Sequence, residues 1–126
     1  MDNYQCHITI DNRSPEHLRL LKQDIPWGMF RDGPEKDILP HTATKAFVAT
    51  GIVGLAGTEG TVTYQVGDDA NVTISIYFEI PTRPMSSNTV HVESSNPDIA
   101  AQVSGFNGAG STEVCEIKVI DGRANG

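Results

Sequence analysis

Residues 60–81, GTVTYQVGDDANVTISIYFEIP, contain the two clearest alternating patterns in the sequence. In each half apolar residues alternate with polar ones, which is typical of a strand with one buried and one solvated face. The apolar set comprises Val62, Tyr64, Val66, Val72, Ile74, Ile76, Phe78 and Ile80. Residues 67–71 between the halves favour turns, so the two strands are predicted to pair as an antiparallel hairpin.

The hairpin needs further strands to cover its apolar face, because an isolated hairpin is not stable in water. Residues 16–25 are compatible with a short helix or with a strand, and the β-rich context favours the strand. Similar alternation recurs in residues 4–10, 44–50, 89–93, 99–103 and 115–119. About eight short strands, with turn signals about every 8 to 12 residues, predict a single all-β domain over residues 1–126, an antiparallel β-sandwich.

The charge of the chain limits its partners. The formal net charge of −7 over 126 residues opposes binding to nucleic acid and to anionic headgroups, so we expect no nucleic-acid partner, whereas neutral or zwitterionic partners stay open. No apolar run approaches the length of about 20 residues that a transmembrane helix needs. The start, MDNYQCHITI, lacks the basic and apolar regions of a secretory signal. We expect synthesis in the cytoplasm without a signal peptide and release by a non-conventional route to act on target membranes.

Residues that would support catalysis are scattered along the chain. Two of the four histidines, His7 and His91, fall on predicted solvated strand faces, and His17 and His41 follow turns. The sequence pattern brings together no set of nucleophile, base and orienting group. We therefore predict that the protein is not an enzyme and uses no cofactor.

The two cysteines, Cys6 and Cys115, have no second cysteine or histidine at ligand spacing, which argues against a zinc site. They share the core-facing parity of the first and last strands, so a disulfide is open to them if those strands are neighbours. A reducing cytosol favours two buried thiols instead. The loop acids Asp32, Glu35 and Asp37 could bind calcium, but solvated turn residues explain them better, and no metal site is predicted.

Residues 26–37, PWGMFRDGPEKD, are predicted to form an aromatic corner that leads into a structured loop. They include Trp27, the only tryptophan of the chain, and Phe30. Two interpretations stay open for these rings: they plug the end of the sandwich core, or they are exposed anchors. Composition alone favours the plug.

Further motifs stand in order along the chain: Asp11-Asn12 after the first strand, Glu59-Gly60-Thr61 at the start of another, and an aromatic strand that ends in Glu79-Ile80-Pro81. With the WG, DG and KD pairs of residues 26–37, they make the sequence resemble the aegerolysins, small β-sandwich proteins with an actinoporin-like fold. The resemblance spans nearly the whole chain. Two motifs differ: the family's Asp-Cys-Pro-Trp-Gly is EIPTR at residues 79–83, and its Cys-Gly is Thr50-Gly51.

The resemblance implies a non-enzymatic protein that binds membrane lipids of a neutral or zwitterionic type, sphingolipids or sterols. It also implies a role as the recognition component of a two-component pore-forming cytolysin, with a larger perforin-like protein as partner.

Two tips are candidates for contact with lipid: the aromatic corner, and the loop that replaces the family's tryptophan-bearing loop. Arg83 in that loop could pair with a headgroup phosphate, and Tyr77 is placed at the level of the interface on the solvated face of its strand. The candidate lipid-binding residues are Trp27, Phe30, Arg31, Tyr77, Thr82, Arg83 and Met85.

A carbohydrate-binding module is the alternative function, because the loops of small β-sandwiches also carry lectin sites. Such a site usually pairs an exposed aromatic residue with Asp and Asn side chains. Only the corner from Trp27 to Asp32 approaches this pattern.

Overall fold

A computed structural model of the chain describes residues 4–52, 56–82 and 87–123. Within these ranges the secondary structure consists of ten strands. They are β1 (Gln5–Asn12), β2 (Leu18–Trp27), β3 (Met29–Asp32), β4 (Asp37–Ile38), β5 (Thr42–Thr50), β6 (Thr58–Val66), β7 (Thr73–Ile80), β8 (Thr89–Ser94), β9 (Ile99–Ser104) and β10 (Thr112–Asp121).

The strands form two sheets of five. The order is β3-β5-β1-β10-β9 in the first sheet and β4-β2-β6-β7-β8 in the second. All pairings are antiparallel except that of β1 with β10, which is parallel. The all-β sandwich predicted from the sequence is confirmed, with this one parallel pair at the centre of the first sheet.

The predicted hairpin is β6 and β7, which pair from Thr58 opposite Ile80 to Gln65 opposite Thr73. All eight apolar residues of its alternating set are buried. They pack against the inward residues of the first sheet, which include Cys6, Ile8 and Ile10 of β1. The outward face of the hairpin is not fully solvated, because the hydroxyls of Thr63 and Ser75 lie 3.0 Å apart and Thr63 is buried.

The segment whose pattern allowed a helix is strand β2, as the β-rich context predicted. The segment that follows differs from the prediction, because the corner and loop of residues 26–37 include two short edge strands, β3 and β4. At Gly28 the chain leaves the second sheet and enters the first, with a φ of 94°. The corner therefore links the two layers of the sandwich.

Cys6 and Cys115 lie on the neighbouring strands β1 and β10 as buried free thiols. Burial raises the pKa of the Cys6 thiol, and the nearby Cys115 and Glu113 add to the shift. Burial together with Glu113 raises the pKa of Cys115 to about 11. Both sulfurs therefore belong to the hydrophobic core as neutral thiols at physiological pH.

Candidate functional site: the apolar end of the sandwich

A groove with a volume of about 680 Å³ opens at one end of the sandwich. Residues 26–28, 52, 56–58 and 79–82 line it. Trp27 and Thr82 are both among them, so one residue of each tip predicted from the sequence lines the same groove. A hydrogen bond from Tyr4 Oη to the carbonyl oxygen of Thr82, 3.1 Å long, ties the start of the first sheet to the second of these tips.

The two aromatic residues of the corner have separate positions. Trp27 is 64% exposed, so the plug interpretation, which composition favoured, is wrong for this residue. Phe30 is half-buried and packs on the core, with its ring centroid 5.5 Å from that of Phe47 and 6.3 Å from that of Phe78, both near edge-to-face. Phe30 is thus the plug under the corner, and its position is not that of a side chain that inserts into lipid.

Trp27 belongs to a row of cross-strand neighbours on the second sheet. It is opposite Glu59, and Glu59 is opposite Glu79. Tyr77 Oη donates a hydrogen bond of 2.6 Å to Glu59 Oε2. This bond, with partial burial and the charges of Glu59 and Glu79, raises the pKa of Tyr77 above its usual value. Tyr77 therefore lies next to the Trp27 row on the outer face, outside the groove.

Arg31 lies on edge strand β3 and directly follows Phe30. Its guanidinium contacts the carboxylate of Asp32 at 3.6 Å. It also faces His7: burial lowers the pKa of His7, and the charges of Arg31 and Lys45 lower it further. Arg31 thus belongs to the outer face of the first sheet and does not line the groove. Arg83 and Met85 lie outside the described residues, so their roles stay predictions.

Four large apolar side chains are exposed around the groove and its neighbouring loops, and we call this region the apolar end. Their exposed fractions are 64% for Trp27, 62% for Ile52, 47% for Met29 and 43% for Phe106. The pairings place them at one end of the sandwich: Met29 is opposite Thr50. Asn88, which directly precedes β8, donates its backbone N–H to Gly108 O across 3.0 Å. Gly108 lies two residues after Phe106, so this bond places the Phe106 loop at the same end.

The opposite end of the sandwich is charged, and we call it the acidic end. It comprises the loops at residues 13–17, 67–71, 95–98 and 121–123, which hydrogen bonds such as Gly67 N to His17 O and Gly122 N to Asp98 O hold together. A second depression of about 420 Å³ lies there, lined among others by Glu16, Asp68 and Asp69. The long axis of the protein thus runs from an apolar surface to an acidic one.

The calcium alternative finds no support in the arrangement of the loop acids. Among the residues that the structure describes, no three His, Cys, Asp or Glu side chains are grouped so that they could hold a metal ion. Asp37 instead accepts a hydrogen bond from His17 Nδ1 at 2.9 Å, and Asp32 contacts Arg31.

No protein-family model matches the sequence, and no curated protein matches it significantly. Solved structures do resemble the chain, and three of them are RahU, Nakanori and IP-1A. The RahU protein, solved in complex with a TRIS molecule, has a TM-score of 0.73 at 17% identity, covering 96% of this chain and 97% of RahU. The lipid binding protein Nakanori has a TM-score of 0.75 at 16% identity, over 92% of this chain and 70% of Nakanori. IP-1A from Alcaligenes faecalis has a TM-score of 0.67 at 19% identity, over 95% and 94% of the two chains.

The chain has an aegerolysin-like fold. Two of the motifs behind the sequence resemblance meet at the groove, because Trp27-Gly28 and residues 79–82 line it. Thr50 lies opposite Met29, two residues after Trp27. Thr82, where the family has tryptophan, is at the rim. Of the two motifs that differ in this chain, the one at residues 79–83 therefore contributes residues 79–82 to the groove, and Thr50-Gly51 directly precedes the groove residue Ile52.

Sequence reasoning missed Ile52 and Phe106. Both are large apolar residues in glycine-rich loops, in Gly51-Ile52 and Gly105-Phe106-Asn107-Gly108. The sequence did contain an indication of their exposure. Turn-forming residues beside an apolar residue keep it out of a strand and so away from the regular core positions. Single exposed apolar residues are common on protein surfaces, and only the fold shows that Ile52 shares the groove with Trp27 and that the Phe106 loop lies at the same end of the sandwich.

Proposed function

We propose that this protein binds lipid membranes through its apolar end and is not an enzyme. The observation that carries the proposal is the division of the surface into an apolar end and an acidic end. Two of the loops at the apolar end, residues 50–58 and 105–111, contain no Asp, Glu, Lys or Arg, although 20% of the chain is charged. Exposed apolar side chains grouped at one end of a protein are typical of protein or membrane contact sites.

The energetics require several side chains to act together. Burial of one tryptophan-sized side chain contributes only about 1.5 to 3 kcal/mol, which alone corresponds to millimolar affinity or weaker. Because Trp27, Met29, Ile52 and Phe106 are 43–64% exposed, burial of their exposed parts together contributes roughly 3 to 6 kcal/mol, which corresponds to millimolar to tens-of-micromolar affinity. The grouping of the four at one end is what makes useful membrane binding feasible.

The charge distribution sets the lipid class and the orientation. With a net charge of −7, attraction to anionic lipid is not the driving force, so we assign neutral or zwitterionic lipids. The resemblance to the aegerolysins implies sphingolipids or sterols among them. The acidic end would face away from the bilayer. The fold is consistent with this assignment, since one protein that shares it, Nakanori, is described as lipid-binding.

Co-sedimentation with vesicles tests the proposal. The vesicles contain neutral glycerophospholipid alone, or with sphingolipid, with sterol, or with both. We expect Trp27→Ala to weaken binding by about ten- to a hundredfold. Leu39→Ala, which removes an exposed apolar side chain near the acidic end, is the matched control and should bind as the wild type does. Arg83→Ala tests the predicted phosphate contact.

Two results would overturn the proposal. The first is a wild type that binds none of the vesicles; a signal on a glycan array in that case would favour the carbohydrate-binding alternative. The second is equal loss of binding in Trp27→Ala and Leu39→Ala, which would mean that the apolar end is not the contact surface.

We further propose that any pore needs a second, larger perforin-like protein. No helix in the described ranges is long and apolar enough to cross a membrane. The resemblance to the aegerolysins supports a recognition role. Purified protein should therefore bind vesicles without releasing an entrapped dye, and dye release by the protein alone would contradict the need for a partner.

A further inference from the structure

The loop that joins β9 to β10 presents an aromatic side chain on an unusually well-fixed backbone. Residues 105–111, GFNGAGS, include Phe106, which is 43% exposed. Three glycines of the loop, Gly105, Gly108 and Gly110, have φ values of 82°, 88° and 87°. These left-handed conformations suit glycine, and they bend the loop so that its backbone N–H groups point inward.

Glu113 accepts hydrogen bonds from two of those N–H groups through its carboxylate. Its side chain is fully buried, with Asn107 N donating to Oε1 at 2.8 Å and Gly108 N donating to Oε2 at 2.7 Å. Asn88 Nδ2 donates to the same Oε2 at 2.8 Å. Burying a carboxylate is costly unless its oxygens are hydrogen-bonded, and here both are. The carboxylate thus binds the loop at two successive backbone positions.

Asn88 extends this clamp to the other sheet. It is itself buried, and besides its bond to Glu113 it donates from Nδ2 to Gly110 O at 3.1 Å and from its backbone N to Gly108 O at 3.0 Å. Asn88 directly precedes β8, whose first residue, Thr89, is opposite Glu79. The position of Phe106 is therefore fixed relative to the row that contains Trp27.

Residues 105–111 contribute no side chain to the hydrophobic cluster of the core. What the clamp does is hold one exposed aromatic ring in place. A binding side chain that is already ordered loses less conformational entropy on contact, so it contributes more to affinity. The absence of charge in the loop also lowers the cost of removing it from water.

We propose that residues 105–111 are a second membrane-contacting tip, in which Phe106 enters the lipid interface and Glu113 with Asn88 holds the loop in position. The inference rests on the proposed function, and it assigns that function a contact that lies on a different sheet from Trp27. A lipid bilayer is the occupant because the loop is uncharged, carries a single aromatic ring and lies at the same end as the other three exposed apolar side chains.

Tryptophan fluorescence can test the tip directly, since the chain has one tryptophan. In the double variant Trp27→Phe/Phe106→Trp, the indole introduced at position 106 is the only emitter. On vesicles that the wild type binds, we expect a blue shift and quenching by lipids that carry a nitroxide on the acyl chain. The control is Trp27→Phe/Leu39→Trp, whose indole should stay accessible to iodide in water.

The outcomes separate the tip from the function itself. If the Trp27→Phe/Phe106→Trp variant co-sediments with the vesicles but its indole at position 106 stays quenched by iodide and untouched by the nitroxide lipids, the tip is disproved and the proposed function stands. If the wild type binds no vesicle, both are disproved.

The positioning role of Glu113 can be measured separately. Glu113→Gln in the background of the position-106 indole should lower the fluorescence anisotropy of the free protein and reduce shielding on vesicles by severalfold. In Glu113→Gln with Trp27 as the only tryptophan, the shielding of Trp27 should stay unchanged. Equal loss at both positions would indicate a general structural role and overturn the positioning role. If Glu113→Gln does not fold, Asn88→Ala, which keeps the carboxylate and its two backbone donors, decides the same comparison.

Discussion

The hydroxyl of Thr58 donates a hydrogen bond of 3.1 Å to the backbone carbonyl oxygen of Trp27. Thr58 is itself buried at the start of β6. The bond therefore holds the last residue of β2 in place at the point where the chain crosses through Gly28 to the other sheet. The exposed indole of the proposed membrane site stands on this anchored backbone.

Gly28→Ala is expected to destabilise the protein more than an equivalent change elsewhere. A Cβ at Gly28 would lie 2.5 Å from both Thr50 O and Thr58 Oγ1, and the φ of 94° is strained for alanine. Gly110→Ala is the control, because its φ of 87° is similar but no atom lies within 4 Å of the added Cβ. Strain alone costs about 1 to 3 kcal/mol. Urea unfolding should give a larger loss for Gly28→Ala, and equal losses would contradict the steric account.

Phe30→Ala should lower the free energy of unfolding markedly, whereas Trp27→Ala should leave it nearly unchanged. Loss of the half-buried Phe30 ring removes its contacts with Phe47 and Phe78 and should cost close to the lower end of about 3 to 5 kcal/mol. Trp27→Ala removes an exposed side chain and should change the free energy of unfolding by within about 0.5 kcal/mol. Urea unfolding of both variants measures this. A large loss of stability in Trp27→Ala would show that the indole is part of the core.

Local sequence patterns predicted much of this fold. The β6–β7 hairpin could be located because its period-2 alternation runs through both strands and a turn-forming segment separates them. The same alternation in β1 placed Cys6, Ile8 and Ile10 inside. It also places Asn12 on the core face, where its amide donates to the carbonyl oxygens of Glu16 and Leu39.

Features that depend on distant residues could not be read from the sequence. The parallel pairing of β1 with β10 joins segments from opposite ends of the chain, and no local pattern encodes it. The edge strands β3 and β4 are too short for periodicity to register. The different positions of Trp27 and Phe30, three residues apart, depend on the crossing at Gly28. The apolar end, likewise, exists only because the fold gathers loops that are far apart in the chain.

Glu113→Gln is also expected to reduce stability. The amide nitrogen that replaces one carboxylate oxygen cannot accept a hydrogen bond, so at least one of the donors Asn107 N, Gly108 N and Asn88 Nδ2 is left unpaired in a buried site. An unpaired buried polar group costs about 1 to 3 kcal/mol. Thermal or urea unfolding measures the loss. Glu116→Gln, at an outward-facing position of the same strand, removes the same charge and should leave stability nearly unchanged.

The thiols of Cys6 and Cys115 should resist alkylation in the folded protein. Because the pKa of Cys115 is raised to about 11 and that of Cys6 is raised by burial, little thiolate is present at pH 8, and both sulfurs are shielded from solvent. Iodoacetamide followed by mass spectrometry should find no label at pH 8 in buffer and two labels in denaturant. Rapid labelling of the folded protein would contradict burial, and no label in denaturant without reductant would indicate a disulfide.

The last prediction concerns stability at acid pH, through Asp121 at the end of β10. Its carboxylate accepts hydrogen bonds from Arg123, including one of 2.7 Å from Nη2, and these hold the pKa of Asp121 below its usual value. A lowered pKa in the folded state means that the bond stabilises the fold fully above the unfolded pKa, about 3.9. That stabilisation is lost as the pH falls through the lower, folded pKa.

Asp121→Asn should therefore be less stable than the wild type near pH 7, and the difference should shrink as the pH falls below about 4. Urea unfolding from pH 3 to 7 measures this, with Asp68→Asn as a control that removes one exposed negative charge from the same end. A difference between Asp121→Asn and the wild type that stays constant over this range would mean that the Arg123 bond does not stabilise the ionised carboxylate.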